Sequence, residues 1–137
     1  MSPESIGILK KYHLNITRPR ALILDAFIYA ERSLDHQYFL HQDKYKLERT
    51  TVFRTLRLFT DKKIIYRVTT EGGNKYLFLQ NDKGHSGKAE HSSFVCTGCG
   101  KAIPIDTIEV PKLKIPKGFT KQDMEIIIRG ICPTCKA

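Results

Sequence analysis

The feature that most limits what this chain can become is a pair of Cys-x-x-Cys motifs in its last third, Cys96-Thr97-Gly98-Cys99 and Cys132-Pro133-Thr134-Cys135. Two intervening residues let both sulfurs of a pair reach one tetrahedral ion, and Gly98 and Gly100 relieve crowding where backbone amides turn toward sulfur. Four soft ligands suit zinc, so Cys96, Cys99, Cys132 and Cys135 are the expected metal ligands. A closed sulfur shell leaves no open position for water or substrate, which makes the expected site structural. A redox pair or two disulfides are the competing uses of four cysteines. Against them stands the expected compartment: no apolar run approaches the roughly 20 residues needed to cross a bilayer, and residues 1–11 lack the basic-then-apolar pattern of a signal peptide. A cytoplasmic address, with no membrane partner, is therefore expected, and thiols stay reduced there.

Upstream of the cysteines the apolar pattern is helical. Residues 5–12 offer Ile6, Ile8 and Leu9 as a buried stripe. Thr17 is placed to cap a second helix that tolerates Pro19 in its first turn and repeats Leu22, Ile23, Ala26, Phe27 and Ala30 at helical spacing. Ser33 is the expected cap of a third, reaching to about Asp43 with Leu34, Tyr38 and Leu40 or His41 inward. Across residues 47–61, Val52, Leu56 and Phe59 fall at i, i+4 and i+7 while Arg54 and Arg57 project elsewhere, so one face packs and another is cationic. Residues 64–69 and 75–79 read as strands joined by the turn-rich stretch 70–74.

Residues 81–90 hold two glycines and no apolar periodicity, as a hinge would. Beyond them, 91–95, 101–105 and 124–131 are short strand candidates, and Pro111 and Pro116 forbid a long helix between the last two. The expected fold is thus α+β: an N-terminal winged helix-turn-helix domain over 1–80, a hinge over 81–90, and a small C-terminal α/β domain over 91–137 with a four-cysteine zinc site.

Charge narrows the partner class. The net charge is +9; residues 1–80 carry 14 Lys and Arg against 8 Asp and Glu, or +6, and residues 81–137 carry +3. A basic surface of this kind attracts polyanions through counterion release, which points to nucleic acid. No Ser-His-Asp order, phosphate loop or paired carboxylates indicates an enzyme.

With these parts in order the chain resembles the ferric uptake regulator family of metal-responsive bacterial regulators. The resemblance rests on Leu14-Asn15-Ile16-Thr17-Arg18-Pro19-Arg20, on Thr51-Val52-Phe53-Arg54-Thr55-Leu56, and on Cys96-x-x-Cys99-Gly100 with Gly130-Ile131-Cys132-x-x-Cys135. It implies that the helix carrying Arg49, Thr50, Thr51, Phe53, Arg54 and Arg57 enters the major groove of double-stranded DNA. Arg20, Arg67 or Lys75 would then touch phosphates beside it. Arginine can bond a guanine edge with two donors, and a hydroxyl can bond base or phosphate. A homodimer is implied as well, by pairing of sheet edges or of apolar faces such as residues 126–128, because palindromic operators favour a two-fold protein.

The chain also departs from the family. Phe53 stands where relatives have tyrosine, which makes that contact purely apolar, toward a thymine methyl for instance. The family's His-x-His-x-x-Cys stretch, which holds a regulatory metal, reads His91-Ser92-Ser93-Phe94-Val95-Cys96. The histidine before the third helix is replaced within Ala30-Glu31-Arg32, and the glutamate before the hinge within Leu77-Phe78-Leu79. A serine hydroxyl is a poor ligand for divalent transition metals; a substitute second site would use His85, Glu90 and His91. His13, His36 and His41 read as surface or packing residues. The implied function is a transcriptional repressor linked to metal or stress homeostasis. The alternatives are a metal-independent DNA-binding regulator and a zinc-stapled protein-interaction module.

Overall fold

Short polar side chains set where the first three helices begin. In the computed structural model, which describes residues 1–79, 90–105, 113–122 and 124–136, helix α1 spans Pro3–Lys11 because Ser2 accepts the Ser5 N–H and proline sits where no amide is needed. It starts two residues before the stretch expected from periodicity, and Leu9 is its buried apolar residue. Helix α2 spans Arg18–Tyr29 with Thr17 as the cap. Its inner face is Ala21, Ile23, Leu24 and Phe27. Leu22, Ala26 and Ala30, expected inside, are half-buried.

The third helix corrects the sequence reading. Helix α3 is His36–Leu40, capped by Asp35 rather than Ser33, and Phe39 is its buried residue while Tyr38 and Leu40 are half-buried and His41 is exposed. The reason lies one residue upstream. Leu34 forms a bridge with Tyr76, its N–H donating to the Tyr76 carbonyl at 2.9 Å and its carbonyl accepting the Tyr76 N–H at 2.8 Å. An extended Leu34 cannot be helical, so the helix waits until Asp35 can accept the Tyr38 N–H at 2.9 Å.

Helix α4 spans Arg49–Asp61 and buries Val52, Thr55, Leu56 and Phe59. Thr55 is tolerated inside because its hydroxyl donates to the Thr51 carbonyl at 2.8 Å. Strands β1 (Ile65–Thr70) and β2 (Gly73–Phe78) pair antiparallel from Ile65↔Phe78 to Thr70↔Gly73. Pairing therefore runs to a two-residue tip, Glu71-Gly72, shorter than the connection expected from composition. Gly73, at φ +111°, adopts a backbone that other residues avoid. One contiguous core joins Leu9, Ile23, Leu24, Phe27, Phe39, Val52, Leu56, Phe59, Ile64 and Ile65. Four helices, a bridging residue and a hairpin make a winged helix.

The chain divides into two compact units, Met1–Leu79 and Gln80–Ala137. In the second, β3 (Glu90–Cys96) lies between β4 (Ala102–Pro104), antiparallel to it, and β5 (Met124–Gly130), parallel to it. These strands lie within a residue or two of the expected ones. A short helix α5, Pro133–Lys136, follows and was not anticipated. Residues 113–122 form neither helix nor strand; Pro111 and most of the expected hinge lie outside the described residues. Among the described residues no helix is long and apolar enough to cross a membrane.

Candidate metal centre and nucleic-acid interface

Parallel pairing of β3 and β5 brings the two cysteine pairs together. In that register Cys96 is opposite Gly130, so the chain leaving β5 reaches Cys132 beside the turn that carries Cys99. The Thr97 N–H donates to the Gly130 carbonyl at 2.8 Å and extends the ladder by one residue into the turn. Two glycines permit the approach. A Cβ on Gly98 would stand 3.0 Å from Cys135 Sγ, and one on Gly130 would stand 2.9 Å from the Phe94 ring. Gly100 closes the first turn at φ +78°, its N–H donating to the Cys96 carbonyl at 2.9 Å.

The four sulfurs lie within 4.8 Å of one another, and none is in a disulfide. A tetrahedral zinc with Zn–S bonds of about 2.3 Å requires sulfur separations of about 3.8 Å, so the cluster can hold zinc after small adjustments. Cys99 and Cys132 Sγ already stand 3.9 Å apart. Cys96 and Cys132 are buried, while Cys99 and Cys135 are exposed.

Electrostatics fit the same use. The backbone N–H of Cys132 donates to Cys96 Sγ at 3.3 Å. That bond, with further amides from Cys99 and Gly98, lowers the Cys96 thiol to about 6. The Cys135 amide lowers Cys132. Crowding acts in the opposite sense on the last thiol: sulfur neighbours Cys132 and Cys96 raise Cys135 to about 12. A cavity that stabilises two thiolates and then resists more negative charge suits a divalent cation.

The expected second site falls largely outside the described residues. His85 lies outside them, and Glu90 and His91 are placed only as the first residues of β3. Ser93, which replaces a family histidine, is buried on the same strand.

In the first unit the expected nucleic-acid residues collect on α4. Arg49, Thr50, Phe53, Arg54 and Arg57 are exposed and Thr51 is half-buried, while Val52, Leu56 and Phe59 on the other face are buried. Arg67 is exposed on β1 of the hairpin. Arg20 uses one guanidinium nitrogen on the Asn15 carbonyl at 2.9 Å. Lys75 is committed to an ion pair, Nζ to Asp35 Oδ2 at 2.7 Å. Asp35 is thereby both helix cap and counterion. Its partial burial raises the carboxyl, and the Lys75 and Tyr38 hydrogen bonds with the Lys75 charge outweigh this, leaving it below the usual value.

Sequence reasoning missed one cluster here. His36 stacks on Phe53 with ring centroids 3.9 Å apart and makes a T-shaped pair with Tyr76 at 5.7 Å. Its only advance signal was a histidine one residue after a short polar cap, which no periodicity distinguishes from a surface residue.

Comparison with known proteins gives a consistent result. Residues 11–129 match the model of the ferric uptake regulator family. A ferric uptake regulation protein of Neisseria meningitidis is 29% identical over 142 residues, covering 98% of this chain and 94% of its own length. One of Staphylococcus aureus is 24% identical over 137 residues, covering 97% and 96%. Among solved structures, a zinc uptake regulator complexed with zinc and DNA superposes with a TM-score of 0.69 at 18% identity, covering 97% of this chain and 91% of that one. A ferric uptake regulator from Francisella tularensis with iron gives 0.61 at 19%, covering 90% and 96%.

Proposed function

Because this chain belongs to the ferric uptake regulator family, whose members are transcription regulators and not enzymes, we propose that it binds an operator in double-stranded DNA as a cytoplasmic homodimer and represses transcription. The observation that carries this reading is the division of α4 into a buried apolar face and an exposed face of Arg49, Thr50, Phe53, Arg54 and Arg57. A helix with this division, followed in the chain by a tight hairpin, has the form of a recognition helix and its wing. Arg54 and Arg57 would read base edges, with Arg49, Thr50 and Thr51 on base or phosphate and Phe53 on an apolar base surface. Arg20 and Arg67 would position the duplex through phosphates. Lys75 would join them only by leaving Asp35. The zinc uptake regulator solved in complex with zinc and DNA supports the same use of the fold.

In the second unit, Cys96, Cys99, Cys132 and Cys135 would hold the structural zinc. When bound, zinc supplies cross-linking and no reactive position. A second copy of the chain would cover Leu113, Ile115, Phe119, Ile128 and Ile131, all exposed large apolar residues in this unit. The residues 1–80, 81–90 and 91–137 would act as DNA-binding, hinge and dimerisation regions. A regulatory ion on His85, Glu90 and His91 is part of this reading. A second reading, DNA binding that no added metal alters, is favoured by buried Ser93, whose hydroxyl replaces a nitrogen ligand.

Binding of pooled operator DNA by the zinc-loaded protein tests the core of the proposal. Arg54→Ala is expected to weaken specific binding by about 1–3 kcal/mol with less effect on random DNA. An unchanged ratio of specific to random binding removes Arg54 from base recognition. Adding iron, zinc or manganese to the same assay separates the two readings: an affinity change indicates a sensory ion, and none indicates its loss.

A further inference from the structure

We propose that His36 is a specificity-determining positioning residue, whose imidazole plane backs the Phe53 ring and fixes the attitude in which that ring meets a base. The proposal rests on the reading above, in which α4 enters the major groove. Phe53 is 53% exposed on a helix whose other apolar residues, Val52, Leu56, Leu58 and Phe59, are buried or half-buried. An exposed phenylalanine ordinarily samples more than one rotamer. Here one neighbour restricts it, since the His36 ring lies 3.9 Å from it, centroid to centroid, at an interplanar angle of 35°.

His36 is itself held from behind. Its ring and that of Tyr76 form a T-shaped pair with centroids 5.7 Å apart at 79°, and Tyr76 is buried on β2. Two further links between the same strand and the start of α3 surround this contact: the Leu34↔Tyr76 backbone bridge and the Lys75–Asp35 ion pair. Tyr76, His36 and Phe53 thus form a stack from the wing to the proposed groove-reading face. Ordering the ring before DNA arrives removes part of the entropy that binding would otherwise cost.

The chemistry of the imidazole indicates that its plane is what the fold uses. Nε2 of His36 is buried and, among the described residues, has no hydrogen-bond partner. A buried ring nitrogen without a partner is unfavourable, so a hydrogen bond from it is not the reason for its position. An apolar ring of similar outline should do as well, and an aliphatic side chain that fills the space without a plane should not.

The test uses the full-length, zinc-loaded protein and a randomised operator library, with base preference read at every position, for wild type, Phe53→Ala, His36→Leu and His36→Phe. Thermal unfolding of each variant confirms that it is folded. Phe53→Ala is expected to lower preference at one or two adjacent positions. His36→Leu should lower preference at the same positions, by about two- to tenfold as loss of an aromatic pair implies, and His36→Phe should restore it. If Phe53→Ala changes the profile and His36→Leu does not, the positioning role is overturned while the groove reading stands. If both His36 variants change it, the ring nitrogen matters and the stacking argument is wrong. A profile untouched by Phe53→Ala overturns the contact by Phe53 and this proposal with it, whereas the Arg54→Ala result reports on the groove reading separately.

Discussion

Residues 1–79 bury three phenylalanines, Phe27, Phe39 and Phe59, with a shell of leucine, isoleucine and valine around them. In the second unit the buried residues among those described are Ser93, Val95, Cys96, Ala102 and Cys132, two of them thiols of the metal cluster. A unit of 58 residues, Gln80–Ala137, is near the size at which apolar burial alone is marginal and a metal or a partner supplies the difference. One half of the chain is closed by side-chain volume; the other brings together four thiols that could close it by coordination. The difference teaches that the two halves should fail under different insults.

Removing the ion is the largest expected effect. Structural zinc contributes on the order of 10–16 kcal/mol to such sites near neutral pH, so chelation should abolish amide-exchange protection in β3 and β5 and leave α2 and α4 protected. Protection that persists in β3 and β5 after zinc is fully removed would break the comparison. Next in size, Phe59→Ala opens a cavity in the first unit and should cost about 3–5 kcal/mol there. All 6 tyrosines, and no tryptophan, lie in residues 1–79, so tyrosine fluorescence follows this unit alone during urea unfolding. Zinc content should stay at that of wild type; a loss of zinc would mean that the halves are coupled.

A smaller effect should sharpen the contrast through pH. Burial of His36 disfavours its charged form, Asp35 acts against that and Arg49 with it, so the imidazole titrates below its ordinary value of 6.5. The unfolded chain binds this proton more readily than the folded one. His36 therefore contributes fully above about pH 6.5, and its contribution is lost as pH falls through the lowered folded value. The urea midpoint seen by tyrosine fluorescence should drop between about pH 7 and about pH 5, and less so in His36→Phe; equal drops would exclude His36 as the source. Smallest is Lys63, at φ +60° directly after α4. Lys63→Gly relieves a left-handed backbone but loosens the unfolded chain, for a net gain below about 1 kcal/mol in the same unfolding curves.

What the sequence disclosed followed from how local each determinant is. Thr17 caps a helix through its own neighbours, and Cys-x-x-Cys spacing states its chemistry within four residues, so both were legible. The limits of α3 were not, because the decisive bond joins Leu34 to Tyr76, which are remote in the chain. The same remoteness hid the Lys75–Asp35 pair and the His36–Phe53 stack. Arg54 and Arg57 could be assigned to an exposed helical face from spacing alone, whereas the commitment of Lys75 required a partner forty residues away.

The alignment of β3 with β5 is only partly specified by the side chains at the centre of the strands. Ile126, Ile127 and Ile128 are identical neighbours, so at the centre of the ladder a one-residue slip would exchange isoleucine for isoleucine at two of its seven pairs. Such a slip would also carry Cys132 away from Cys96 and part the thiols. An ion that binds only the correct alignment would act as a proofreader of strand pairing, adding to the selection of one arrangement while the slow long-range contact forms.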